Sequence, residues 1–241
     1  MWLDVDGQRA YAYTGGRPFD PSRPVLAFVH GAQHDHSVWI LQSRYLAHHG
    51  YSVLAFDLPG HGRSQGEPLA SVEEMASWLL SALAAAGARR ATLIGHSMGS
   101  LIALEAAGQA GDAAEAADAG RAADAGRAGE AGPAPVAVER VALLSSVFPM
   151  QVSDALLSAA ADDEPGAFDM INRWSHWNTD APPGFPAPGF SIWNQNLRLM
   201  ERQQPGVLLN DFRACNAYAA GLERADALAC PALFVLGRRD A

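Results

Sequence analysis

The 241-residue sequence has few cysteines, few cations and no long apolar run, and each scarcity excludes a class of protein. Two cysteines, Cys215 and Cys230, fit a reducing cytosol, and no spaced set of Cys and His ligands forms a zinc motif. Only 17 Lys and Arg, unclustered and set against a net charge of -9, argue against a nucleic-acid surface. No run approaches the roughly 18 apolar residues that span a bilayer, and the start lacks the pattern of a secretory signal. We therefore predict a cytoplasmic protein without a membrane span or a nucleic-acid partner.

Short apolar runs alternate with segments of helical spacing through most of the chain. The turn dipeptide Asp6-Gly7 predicts an opening β-hairpin. Predicted strands at 25–29, 52–56, 91–94, 138–144 and 232–236 are separated by predicted helices that include 37–49, 71–87 and 101–107. This alternation predicts a mostly parallel central sheet with helices on both faces.

Two segments interrupt the alternation. Residues 108–135 consist almost wholly of Ala, Gly, Asp, Glu and Arg, which predicts a surface insertion that is flexible or a frayed helix. Residues 146–228 are rich in Trp, Phe and Pro and show no strand pattern, which indicates a helical cap or lid. The predicted organisation is a core over 1–145, a cap over 146–228 and a return to the core over 229–241.

The pentapeptide Gly95-His96-Ser97-Met98-Gly99 matches G-x-S-x-G, with a predicted strand before it and a predicted helix after it. In that context the glycines permit a sharp turn that presents the serine hydroxyl above the sheet. Ser97 is therefore the predicted nucleophile. The alternative is a plain turn flanked by glycines.

Four motifs occur in a characteristic order: Phe28-Val29-His30-Gly31, the segment 56–64 (Phe-Asp-Leu-Pro-Gly-His-Gly-Arg-Ser), the serine pentapeptide, and Leu236-Gly237-Arg238-Arg239-Asp240. Together they resemble the α/β-hydrolase superfamily, most of all its small bacterial serine esterases with a helical cap. The resemblance covers essentially the whole chain apart from the low-complexity insertion. It implies an α/β-hydrolase fold with an inserted helical cap.

The resemblance also implies site residues. The backbone N–H groups of Ala32 and Met98 would form the oxyanion hole, and Asp240 would be the acid that orients a catalytic histidine. Asp226 is a weaker alternative acid because it precedes the strand in a helix-like segment. His30 and His61 are interpreted as structural residues of their loops.

The catalytic histidine is missing from its expected place. In this fold it follows the acid, yet all eight histidines precede Asp240. The first explanation is a truncated chain without the last strand, the histidine loop and the final helix, which would expose a sheet edge. The second is substitution by His36 or His176. The third is a non-enzyme that binds small molecules in the inherited pocket.

A serine nucleophile argues against dehalogenase and epoxide-hydrolase chemistry, for which the resemblance implies an aspartate at position 97. The predicted function is hydrolysis of carboxylic esters or related acyl substrates through an acyl-enzyme, with no cofactor or metal. For the 241 residues themselves we expect little or no activity, because the histidine is missing. We expect an apolar or aromatic substrate, although the cap aromatics equally fit a cap core. Candidate pocket residues are His30, Gly31, His96, Trp174 and Trp177. The oligomeric state is left open, and a non-catalytic binding module on the same fold is the alternative function.

Overall fold

A computed structural model describes residues 1–123, 135–175 and 191–238 of the chain. Its described strands form one sheet of seven in the order β1-β2-β4-β3-β5-β6-β7. The strands are β1 (Trp2–Val5), β2 (Gln8–Tyr13), β3 (Val25–Val29), β4 (Ser52–Phe56), β5 (Arg90–His96), β6 (Ala137–Leu144) and β7 (Ala232–Val235). The helices are a 3₁₀ turn (His36–Trp39), α1 (Ile40–Ala47), α2 (Val72–Ala85), α3 (Met98–Ala123), α4 (Asp154–Asp162), α5 (Glu164–Ser175), α6 (Ile192–Met200), α7 (Val207–Ala217) and α8 (Gly221–Asp226).

The predicted hairpin and parallel sheet are confirmed. β1 and β2 pair antiparallel around Asp6 and Gly7, which both have positive φ, as a tight hairpin turn requires. β2 also pairs antiparallel with β4, and the remaining neighbours from β4 to β7 are parallel. Every residue of β3 and β4 is buried, since helices cover both faces at the centre of the sheet.

Two apolar layers lie against the sheet. In one layer, Leu79 of α2 and Leu101 of α3 belong to the same apolar cluster as inward residues of the strands, such as Leu93 of β5. The other packs Trp39 and Ala47 against β3 and β4. α2 begins where expected, because the Ser71 hydroxyl accepts a hydrogen bond from the N–H of Glu74 and caps the helix.

The helix that precedes the low-complexity segment is longer than predicted. The predicted helix ends at Ala107, but α3 continues to Ala123, which agrees with the helical alternative for the low-complexity segment. Residues 124–134 lie outside the described part of the chain. Alanine has the highest helix propensity, so an alanine-rich segment extends an existing helix readily. α8 also holds this extension, since Arg224 binds Glu105 and Asp112.

The regular elements that the structure describes between β6 and β7 are all helices. α4, α5, α6 and α7 share a small core of their own, which consists of Leu156, Ala160, Ala167, Phe168, Met200, Leu208 and Phe212. Of the cap aromatics, Phe168 therefore belongs to the cap core, whereas Trp174 is 51% exposed. The predictions for His176 and Trp177 fall outside the described residues.

β7 forms one edge of the sheet, and it is far less buried than the central strands. Leu233, Phe234 and Val235 are 60%, 56% and 47% exposed. Among the described helices, none combines the length and apolar character needed to cross a membrane.

Candidate active site

Ser97 lies at a sharp turn between β5 and α3. Its φ is +52°, a left-handed conformation that costs a non-glycine residue on the order of 1–3 kcal/mol. The turn is held by its neighbours, because the Ser97 N–H donates to the Leu144 carbonyl at 3.0 Å. The Ser97 carbonyl accepts from the N–H of Ser100 at 2.8 Å and from its hydroxyl at 2.6 Å. Ser97 thus occupies a strained strand-to-helix turn, as a nucleophile elbow would require, and its role as nucleophile stays a prediction.

The flanking glycines are required by close packing. A methyl group at Gly95 would lie 2.0 Å from the carbonyl oxygen of Gly99, and one at Gly99 would lie 2.4 Å from that of Val29. The serine itself takes the left-handed conformation, while the glycines let α3 approach β5 and β3. From the sequence, the turn is assigned to the glycines. In the structure Ser97 makes the turn, and the glycines allow the close packing.

The loop after β3, residues 30–36, lies beside the serine. A methyl group at Gly31 would stand 3.2 Å from Cβ of Ser97 and 3.3 Å from Nδ1 of His96. Ala32 is partly buried, and Met98 is fully buried with its side chain in the main core. The fold thus brings Gly31, His96 and Ser97 together, and Met98 has only its backbone to offer the site.

His30 is fully buried, and both its ring nitrogens are engaged. Nδ1 donates to the Gly31 carbonyl at 2.8 Å, and Nε2 accepts from the N–H of Leu58 at 3.2 Å. Burial, with the nearby charge of His61, lowers the pKa of His30 well below its ordinary value and keeps the ring neutral. These contacts support a structural role for His30 and leave no ring nitrogen for a substrate.

His36, the suggested substitute base, is held by a carboxylate and lies against two aromatic rings. Its Nδ1 donates to Asp57 at 2.7 Å, and its ring lies 5.0 Å from Tyr11 and 5.8 Å from Tyr13, both on β2. Trp39, three residues further along the chain, has its ring centroid 6.4 Å from that of His96, the neighbour of Ser97. Replacement of the missing imidazole by His36 therefore stays a prediction.

Asp35, His36 and Asp57 are buried close together, and within the described residues they are the one group with the spacing of metal ligands. Their carboxylates, however, already face N–H donors. Asp57 accepts from the N–H of His36 at 2.7 Å and of Arg63 at 2.9 Å, while Asp35 accepts from Arg202. Donor hydrogens in these positions repel a cation, and we assign no metal to the cluster.

A second cluster of polar side chains joins the loop after β3 to α7. Of its residues, only His61 was considered from the sequence. Asp211 of α7 is fully buried and accepts from the N–H of Gln33 at 2.9 Å and from Nε2 of His61 at 3.0 Å. One signal could have identified Asp211. It shares the apolar face of its helix with Leu208 and Cys215, at spacings of three and four residues.

Two predicted site residues are not described by the structure. Asp240 and Trp177 fall outside the described residues, so their roles remain predictions. Asp226, the weaker alternative acid, is exposed at the end of α8.

Residues 26–241 match the Alpha/beta hydrolase family. The chain belongs to this family. Over 112 residues it is 37% identical to the dihydrolipoyllysine-residue acetyltransferase component of the acetoin cleaving system of Cupriavidus necator, covering 44% of this chain and 28% of the relative. Over 92 residues it is 36% identical to 2-succinyl-6-hydroxy-2,4-cyclohexadiene-1-carboxylate synthase of Salmonella agona, covering 38% of this chain and 36% of the relative. The matches thus span about a third of the length of these curated relatives.

Solved structures share the fold over nearly the whole chain. The enol-lactonase of Burkholderia xenovorans has a TM-score of 0.74 at 19% identity, covering 99% of this chain and 81% of the other. The esterase of Exiguobacterium antarcticum has a TM-score of 0.70 at 16% identity, covering 97% and 79%. Epoxide hydrolase A of Mycobacterium thermoresistibile has a TM-score of 0.63 at 19% identity, covering 99% and 82%. At these identities the likeness shows the fold alone.

Proposed function

We propose that this alpha/beta hydrolase family member is a serine hydrolase that cleaves carboxylic esters or related acyl substrates through an acyl-enzyme. The observation that carries the proposal is the strained elbow of Ser97, at φ +52° between a parallel strand and a helix. A serine at this position separates the chain chemically from epoxide hydrolases of the same fold, for which we expect an aspartate.

In the proposed reaction the Ser97 hydroxyl attacks the acyl carbonyl carbon, and its proton passes to an imidazole. The carbonyl oxygen becomes an oxyanion between the N–H groups of Ala32 and Met98. Each such donor is worth about 10²–10³ in rate. Collapse of the tetrahedral intermediate expels the alcohol, which takes the proton from the imidazole. Water then releases the acid by the same route.

Asp240 is the proposed acid that orients the imidazole, and the order of residues in this fold places the histidine after it. Without an imidazole the serine hydroxyl keeps a high pKa and reacts slowly at neutral pH. The rate at which Ser97 reacts therefore reports whether a base reaches it.

For the substrate we propose an ester with an apolar or aromatic acyl group. The ester class is supported by the names of two proteins of the same fold, an esterase and an enol-lactonase. A further argument is the scarcity of cations in the cap, which disfavours a strongly anionic substrate.

The test is covalent labelling by a fluorophosphonate probe, followed by intact-protein mass spectrometry. On the unchanged protein we expect one probe adduct, which forms very slowly unless a histidine reaches Ser97, and on Ser97→Ala we expect none. Ser77→Ala removes an exposed hydroxyl on α2 and serves as the matched control, which should label normally. Labelling that persists in Ser97→Ala would overturn the nucleophile assignment. The alternative function, a binding module, predicts no labelling but saturable binding of a p-nitrophenyl ester without its hydrolysis.

A further inference from the structure

Gln33 is a strained residue in the loop that carries the proposed oxyanion hole. Its φ is +58°, it is fully buried, and it directly follows Ala32. A non-glycine residue keeps this conformation only where its surroundings enforce it, at a cost on the order of 1–3 kcal/mol. Because only one Cα separates the two peptide groups, the hold on Gln33 determines where the N–H of Ala32 points.

The groups that hold Gln33 come from the cap. Asp211 accepts the Gln33 N–H at 2.9 Å, and the Gln33 side-chain Nε2 donates to the Met200 carbonyl at 3.0 Å. Asp211 belongs to α7 and Met200 ends α6. The loop is thus bound by its backbone to one cap helix and by its side chain to another.

Asp211 is itself held by His61. The His61 Nε2 donates to the same carboxylate oxygen at 3.0 Å, and Nδ1 donates to the Pro59 carbonyl at 3.0 Å. Burial lowers the pKa of His61, but the Asp211 carboxylate outweighs it, and the pKa is raised overall. Two acceptors at the two ring nitrogens require an imidazolium. The result is a buried ion pair that points at the Gln33 N–H.

The other oxygen of the Asp211 carboxylate, Oδ1, is buried and has no hydrogen-bond partner among the described residues. A buried acceptor left unpaired costs about 1–3 kcal/mol. Within the described residues, the contacts of Asp211 are therefore confined to the oxygen that faces Gln33 and His61.

We propose that Asp211 is a positioning residue of the oxyanion hole: by accepting the N–H of Gln33 from the cap, it fixes the strained loop that presents the N–H of Ala32 to the substrate. This inference deepens the proposed function and rests on it. It gives α7 a part in transition-state stabilisation.

The experiment compares Asp211→Ala and Asp211→Asn with Asp169→Ala, which removes an exposed carboxylate from cap helix α5. Hydrolysis of a p-nitrophenyl ester is measured, and kcat is expressed per Ser97 that fluorophosphonate can titrate. We expect Asp211→Ala to lower kcat about 10- to 100-fold with KM changed less than threefold, since misplacement by about 1 Å costs up to 10²-fold. Asp211→Asn keeps an oxygen acceptor and should retain kcat within about threefold, and Asp169→Ala should match the unchanged protein.

A merely structural role would lower the unfolding temperature and the number of titratable sites while leaving kcat per site unchanged, and that result would overturn the proposal. Amide hydrogen exchange at Gln33 supplies a readout without catalysis. We expect exchange to rise at least tenfold in Asp211→Ala and not in Asp169→Ala. If Ser97→Ala labels as the unchanged protein does, or if the unchanged protein forms no adduct even on prolonged incubation, the proposed function fails. The exchange data still decide whether Asp211 holds the loop. Unchanged exchange at Gln33 in Asp211→Ala would show that Asp211 does not fix the loop.

Discussion

Asp35 offers a quantitative test of how the loop after β3 is bound to the cap. Its side chain is 3% exposed and accepts from the N–H of Ser37 at 2.8 Å, Nη2 of Arg202 at 2.7 Å and Nε2 of Gln203 at 3.0 Å. Burial opposes ionisation, but the hydrogen bonds from Ser37 and the charge of Arg202 outweigh it and lower the pKa of Asp35 from 3.8 to about 2.

A folded-state pKa below the unfolded value stabilises the fold above pH 3.8, and this stabilisation is lost as the pH falls towards 2. The shift of nearly two units corresponds to about 2 kcal/mol at neutral pH. About half of it, on the order of 1 kcal/mol, should already be lost between pH 6 and pH 3.

The assay is urea unfolding of the unchanged protein and of Asp35→Asn at pH 6 and pH 3. The variant cannot ionise at this position, so the difference in unfolding free energy between the two proteins should shrink by about 1 kcal/mol at the lower pH. Asp169→Asn, an exposed change on α5, controls for the general effect of acid. An equal difference at both pH values would refute the assignment of Asp35 as an ionised anchor of the cap.

Two further predictions concern packing and a buried charge. Gly95→Ala places a methyl group 2.0 Å from a backbone oxygen and should abolish both cooperative unfolding and fluorophosphonate labelling. Gly111→Ala meets nothing within 4 Å inside α3 and should instead stabilise by up to about 1 kcal/mol. Arg224→Ala strips the main partner from Glu105, which is 1% exposed, and should cost about 3 kcal/mol in urea unfolding. Arg90→Ala breaks a pair whose arginine is 74% exposed and should cost under about 1 kcal/mol. Equal costs for the two arginines would contradict the burial argument.

The elements predicted from local patterns are those that the structure confirms. Apolar runs bounded by turn residues located the strands, and the Ser71 cap and Gly87 located the ends of α2, because these signals depend on neighbours a few residues apart. The extension of α3 was left undecided between a flexible segment and a helix, since the alanine-rich composition suits both. Contact with α8 supports the helix in this case.

In the candidate site, too, only what depends on neighbouring residues could be predicted. Ser97 was predicted as the nucleophile because the motif around it consists of five consecutive residues. The contacts of His36 could not be predicted, since its ring is held by Asp57 and lies against the two tyrosines of β2. Asp211 also looked like an ordinary helix residue from its immediate neighbours.

The sequence by itself determined the order of strands and helices, the elbow at Ser97 and the family to which the four motifs point. These are consequences of periodicity and of turn chemistry, which act over a few residues. Only the tertiary structure decided that Asp211 of the cap meets Gln33 at a separation of 178 residues. Such a contact depends on how two packed layers meet, and the free energy that buries Asp211 comes from the whole cap rather than from any segment around it.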